Sequence, residues 1–258
     1  MIDNLLFHIP PIETARQIEI AAEMKVGCEV NIDSRVIDNV NIDNILLMTR
    51  NCKKIHTHGP FMDINQGSLD TVIRRTAKER ILQAINLSYQ IGSECVIFHS
   101  GYNPLYYSTI KNLWIDNAVK FWNDIFEEGF WEKIESTNNF TVCIENHFEE
   151  TMDILLEIFE RVSNKRLKCC FDLSHSYLYS STDIISNMKT LRNYIKEIHI
   201  NDTDGNRDTH QVIGTGILNI KEILSCVDDF LFNPYLTIEV LSEESACSSL
   251  AFLEAIYN

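Results

Sequence analysis

Short runs of apolar, β-branched residues alternate along the chain with longer stretches in which apolar positions recur every three or four residues. The first pattern suits strands covered on both faces and the second suits amphipathic helices laid over them. Together they describe repeated β-α units around a parallel sheet. Strands are predicted over residues 5–9, 28–32, 54–57, 95–99, 141–145, 168–172, 195–200 and 235–240. Helices are predicted between and after them, over 13–24, 42–52, 70–91, 109–134, 152–162, 184–194, 220–227 and 245–256. Eight such units in 258 residues favour a single closed (β/α)8 TIM barrel, class α/β, over an open doubly wound sheet. With five prolines, nine glycines and no low-complexity tract, residues 1–258 are expected to form one domain. No G-x-G-x-x-G and no P-loop pattern follows the first strand, which argues against a nucleotide cofactor.

Charge narrows the range of partners. Asp and Glu total 37 against 22 Lys and Arg, a formal net of −15, and such a surface repels nucleic acid backbones and anionic membranes. The start of the chain, Met1-Ile2-Asp3-Asn4, has no basic and then apolar leader, and no window approaches the roughly 20 apolar residues that span a bilayer. A cytoplasmic protein without a membrane partner is expected, with homo-oligomerisation left open. The eight cysteines, Cys28, Cys52, Cys95, Cys143, Cys169, Cys170, Cys226 and Cys247, form no C-x-x-C pair, and most lie in apolar runs. They read as reduced core cysteines.

A barrel of this class carries its active site where the strands end at their C-terminal face. Polar residues gather there from the third strand onward: His58, His99, Glu145, Asp172 with His175, His199, Asp208 with His210, and Glu239. Five of the eight histidines and four carboxylates thus fall on one rim. Imidazole and carboxylate together suit zinc, manganese, cobalt or iron better than calcium or magnesium, so a divalent metal site is expected. The strands that end in Glu145 and Glu239 are apolar, and a carboxylate buried there without a cation would cost several kcal/mol. His56 and His147, each two residues from an expected ligand, are open between a supporting and a structural role. His8, at the end of the first strand, either lines the pocket or fills the barrel mouth.

These segments resemble the xylose-isomerase-like barrels, a group that includes sugar phosphate isomerases and epimerases and the endonuclease IV type of apurinic/apyrimidinic endonuclease. The resemblance is carried by His58-Gly59-Pro60-Phe61-Met62-Asp63-Ile64-Asn65, Phe98-His99-Ser100-Gly101-Tyr102, Ile144-Glu145-Asn146, Phe171-Asp172-Leu173-Ser174-His175, His199-Ile200-Asn201-Asp202, Asp208-Thr209-His210, Gly214-Thr215-Gly216 and Glu239. It implies one divalent ion held by Glu145, Asp172, His199 and Glu239, with Glu145 and Glu239 exchanging protons with a small carbohydrate. His58, His99, His175 and Arg207 would then bind substrate.

In the endonuclease branch the full set, His58, His99, Glu145, Asp172, His175, His199, Asp208, His210 and Glu239, implies up to three zinc ions and phosphodiester cleavage, with Phe61-Met62 where that enzyme wedges DNA. Against DNA stand the net charge and the loops: residues 58–69 hold no basic residue and 200–216 hold only Arg207. The leading expectation is therefore a metal-dependent sugar or sugar-phosphate isomerase or epimerase with one to three ions per chain. A multinuclear zinc phosphoesterase is the alternative, a lyase or dehydratase can use related proton chemistry, and a non-catalytic metal-binding barrel completes the range.

Overall fold

Eight parallel strands close on themselves: β1 (Leu5–Ile9), β2 (Gly27–Asn31), β3 (Ile55–His58), β4 (Cys95–His99), β5 (Thr141–Glu145), β6 (Leu167–Asp172), β7 (Ile195–Ile200) and β8 (Tyr235–Ile238). This is a computed structural model, and it describes residues 4–9, 14–23, 25–39, 42–134, 139–229 and 233–257. The strands follow chain order around the barrel, and the last pairs with the first, Leu5 opposite Leu236 and Phe7 opposite Ile238. The fold is the (β/α)8 TIM barrel that the pattern predicts.

The helices are α1 (Thr14–Glu23), α2 (Ser34–Asn39), α3 (Ile42–Thr49), α4 (Thr71–Gln90), α5 (Pro104–Tyr107), α6 (Lys111–Phe126), α7 (Asp153–Arg161), α8 (Leu173–Tyr179), α9 (Ile184–Leu191), α10 (Ile220–Asp229) and α11 (Glu243–Tyr257). The predicted ends Glu13 and Met24 of the first helix lie outside the described residues, as do Met1, Ile2 and Asp3. Strict alternation does not hold, because the short helices α2, α5 and α8 are additions that apolar spacing does not reveal. The stretch 109–134 is not one helix either: α6 occupies its middle, with 3-10 turns at Ser108–Ile110 and Trp131–Lys133. Among the described residues no helix is long and apolar enough to cross a membrane.

Alternation along the strands divides the core in two. Outward-facing Val96, Phe98, Val142, Ile144, Phe171 and Ile198 pack under the helices, where Trp114 and Trp122 of α6 are buried. The inward set contains a small separate apolar cluster of Cys95, Ile97, Cys143 and Cys170. Above it on the same faces stand His99, Glu145 and Asp172, and Glu29, His56, Glu197 and Thr237 share the interior. Such barrels ordinarily fill their interior with Val, Ile and Leu. Here the interior is polar from mid-barrel to the rim, and every buried carboxylate in it requires a partner.

All eight cysteines are free thiols, and five of them are buried.

Candidate metal centre at the strand ends

The nine rim residues form three adjoining donor sets. In the first, Oε2 of Glu145 lies 3.1 Å from His58 Nε2 and 3.2 Å from His99 Nε2. In the second, Glu145, Asp172, His199 and Glu239 each offer a donor atom within 4.8 Å of the others, and all four are buried. The third centres on Asp208, whose Oδ2 lies 3.2 Å from His175 Nε2 and 3.3 Å from His210 Nε2.

Local structure aims each donor. The Nδ1–H of His58 donates to the Gly59 carbonyl at 2.9 Å, which leaves Nε2 for Glu145. Asp172 ends β6 and caps α8, accepting from the His175 backbone N–H at 2.6 Å, so one short turn sets both ligands. The side chain of Asn146 receives the Asp172 N–H at 2.9 Å and donates to its carbonyl at 3.0 Å, locking the ends of β5 and β6 together. Asp202 accepts backbone N–H bonds from Thr203, Gly214, Gly216 and Leu218, at 2.9 to 3.1 Å, and so folds the loop that carries Asp208 and His210. His210 itself has φ 45°, a left-handed conformation that costs of the order of 1–3 kcal/mol.

The fit to a divalent cation rests on atoms without partners. Glu145 Oε1, His199 Nδ1 and Asp208 Oδ1 are buried and make no hydrogen bond, although each belongs to a donor set. A buried polar atom left alone costs about 1–3 kcal/mol, and a cation held by the Glu145/Asp172/His199/Glu239 set satisfies Glu145 Oε1 and His199 Nδ1, while Asp208 Oδ1 belongs to the separate set with His175 and His210. Nitrogen and oxygen donors without sulfur suit zinc, manganese, cobalt or iron.

Electrostatics supports the same reading. Burial alone would raise the Glu145 carboxyl, but the imidazoles of His99, His199 and His175 hold it well below the usual range. Burial, with repulsion from Glu239 and Glu145 against attraction to His175, pushes Asp172 up to about 7. His147 is drawn down to about 2 by burial beside His99 and His175, and is therefore a neutral imidazole.

A cavity of about 280 Å³ opens over the donors and is lined by His8, Asn31, His58, Phe61, His99, His147, His175, Asp208, His210, Glu239, Val240 and Leu241. Phe61 stacks on His99 with centroids 4.7 Å apart, whereas Met62 projects into solvent, 75% exposed. A wider groove adjoins the cavity across Phe61, His99 and His147, with Tyr102, Tyr106, Tyr107 and Phe148 on its walls. The described lining of the cavity contains no Lys or Arg, and Arg207 is exposed outside it.

The nine donors that the sequence places on one rim are brought together in the structure. His8 lines the cavity, His147 contacts His99 with their Nδ1 atoms 3.1 Å apart, and His56 lies deeper, 2.7 Å from Glu197. Glu29 and Glu197 were missed. The available signal was a lone carboxylate at an inward position of an apolar strand, as in Gly27-Cys28-Glu29-Val30.

Residues 46–256 match the family model described as xylose isomerase-like TIM barrel. An uncharacterised protein of Methanocaldococcus jannaschii is 28% identical over 206 residues, 78% of this chain and 69% of that protein. A probable endonuclease 4 of Malacoplasma penetrans is 26% identical over 243 residues, covering 82% of this chain and 77% of its own length. Among solved structures, a D-tagatose 3-epimerase-like protein superposes with a TM-score of 0.82 at 24% identity, over 98% of this chain and 97% of the other.

Proposed function

This chain belongs to the xylose isomerase-like TIM barrel family, and on that premise we propose that it is a divalent-metal-dependent isomerase or epimerase of a small polyhydroxylated carbohydrate. The observation that carries the reading is the pairing of Glu145 and Glu239 about one imidazole, at 3.4 and 3.2 Å from His199 Nδ1. The epimerase-like neighbour supports it.

Glu145, Asp172, His199 and Glu239 would hold the ion. When bound, a divalent cation there supplies Lewis acidity, drawing charge from substrate oxygens and acidifying the C–H beside a carbonyl. One glutamate takes that proton as general base and the other delivers a proton as general acid. Delivery to the same carbon from the opposite face gives the epimer; delivery to the former carbonyl carbon, with the neighbouring hydroxyl proton passing to the old carbonyl oxygen, gives the isomer. Phe61, Val240 and Leu241 give the cavity an apolar wall, while Asn31 and the rim imidazoles offer hydrogen bonds to hydroxyls. The described lining offers no Lys or Arg to pair with a phosphate. An unphosphorylated sugar therefore suits the one-ion form better than a sugar phosphate.

The test is Glu145→Gln and Glu239→Gln, assayed as exchange of solvent deuterium into candidate ketoses with metal content checked for each variant. Each substitution is expected to lower exchange by about 10²–10⁴-fold, the span of general acid-base catalysis. Exchange retained in both variants would remove the proton-transfer role.

A second reading, a multinuclear zinc phosphoesterase, is favoured by one specific observation. His58 and His99 on one side, and His175, Asp208 and His210 on the other, are assembled beside the Glu145/Asp172/His199/Glu239 set, and proton transfer through Glu145 and Glu239 does not need them. Incision of an abasic duplex by zinc-loaded protein, lost in His99→Ala, supports this reading. No cleavage of DNA or small phosphodiesters by fully loaded protein counts against it.

A further inference from the structure

Glu29 is fully buried on the inner face of β2 and belongs to none of the three donor sets described above. Its two oxygens face two different imidazoles. Oε1 lies 2.8 Å from His8 Nδ1, at the cavity edge, and Oε2 lies 3.0 Å from His199 Nε2, in the barrel interior. A carboxylate can only accept there, so the His199 proton sits on Nε2. The other nitrogen, Nδ1, is then the one left to bind a cation. It is the buried atom without a hydrogen-bond partner, and it faces Glu145 Oε1 and Glu239 Oε2.

We propose that Glu29 is a positioning residue that holds His199 with its proton on Nε2 and so presents Nδ1 to the cation shared with Glu145, Asp172 and Glu239. The proposal rests on the metal reading of the site and not on the identity of the sugar. An ionised carboxylate behind a ligating imidazole fixes the ring and strengthens it as a donor, and losing such a partner typically weakens metal binding by roughly 10–100-fold. Glu197, a further fully buried interior glutamate, is engaged elsewhere: it pairs with His56 and accepts from the Thr237 hydroxyl. His8 is the outer anchor of the relay, since it occupies the oxygen of Glu29 that His199 does not.

The experiment is zinc titration of the full chain against a chromogenic chelator, comparing wild type with Glu29→Gln and Glu29→Leu. One zinc per chain is expected to weaken by roughly 10–100-fold, more in the Leu variant than in the Gln variant, with any remaining zinc unchanged. The zinc-loaded ¹⁵N-histidine spectrum is expected to show a strongly hydrogen-bonded His199 Nε2–H in the wild type and its loss in Glu29→Leu. If the Leu variant does not fold, the isosteric Gln variant decides. Folded variants that bind every zinc within twofold of wild type overturn the proposal while leaving the metal centre standing. A wild type that binds no zinc, manganese, cobalt or iron removes the centre itself, and the proposal with it.

Discussion

Individual residues explain why the rim holds its shape. His58 depends on Gly59, because a Cβ at that position would run into the ring of Phe98, which is itself buried against Trp122. Gly59→Ala is accordingly expected to destabilise the fold by about 1–3 kcal/mol, read as a lower urea midpoint, because a packed core accommodates an added methyl only by moving. An unchanged midpoint would mean that Phe98 can turn away freely. Glu145 and Glu239 were legible in the sequence because a carboxylate that closes an apolar run cannot be buried alone. Glu29 and Glu197 carry the same signal but lie within their strands, where no strand-end rule directs attention. Their partners, His199 and His56, are 170 and 141 residues away in the chain.

At the level of elements, the strands were the most legible part. The bounds of β1, β4, β5 and β7 coincide with those predicted, since a strand covered on both faces is a short apolar run with polar ends. Helices were read less well: α8 begins directly after Asp172, so its seven residues carry no periodicity that separates them from a loop. The loop after β7 is organised by one side chain, Asp202, through four backbone N–H groups. Asp202→Ala strips those donors of their acceptor, at about 1–3 kcal/mol for each left buried and unsatisfied. Limited proteolysis should then cut rapidly between residues 203 and 218 while the far-ultraviolet circular dichroism stays that of the wild type. Resistance equal to wild type would show that the loop is held by other contacts.

For the whole molecule, closure of the barrel converts separate strand ends into one chemical site. β1 pairs with β8, and the relay from His8 on β1 through Glu29 on β2 to His199 on β7 crosses the interior that this closure creates. No single segment of the sequence contains that site, which is why the nine donors could be named from the ends of the strands and the loops beyond them, while only the Glu145/Asp172/His199/Glu239 grouping was implied, by the family resemblance, and the other two were not. The polar interior is the counterpart of the apolar shell between barrel and helices: stability resides outside the barrel, and inside it lie charges that call for a cation. Metal content therefore tests the account most directly, by elemental mass spectrometry of the full chain purified without added metal or chelator, beside Glu145→Gln. At least one zinc, manganese, cobalt or iron per chain is predicted for the wild type, with loss of bound metal in the variant, because Glu145 serves two donor sets. Folded wild-type protein that carries no such ion, and takes none up when it is supplied in excess, would contradict the account.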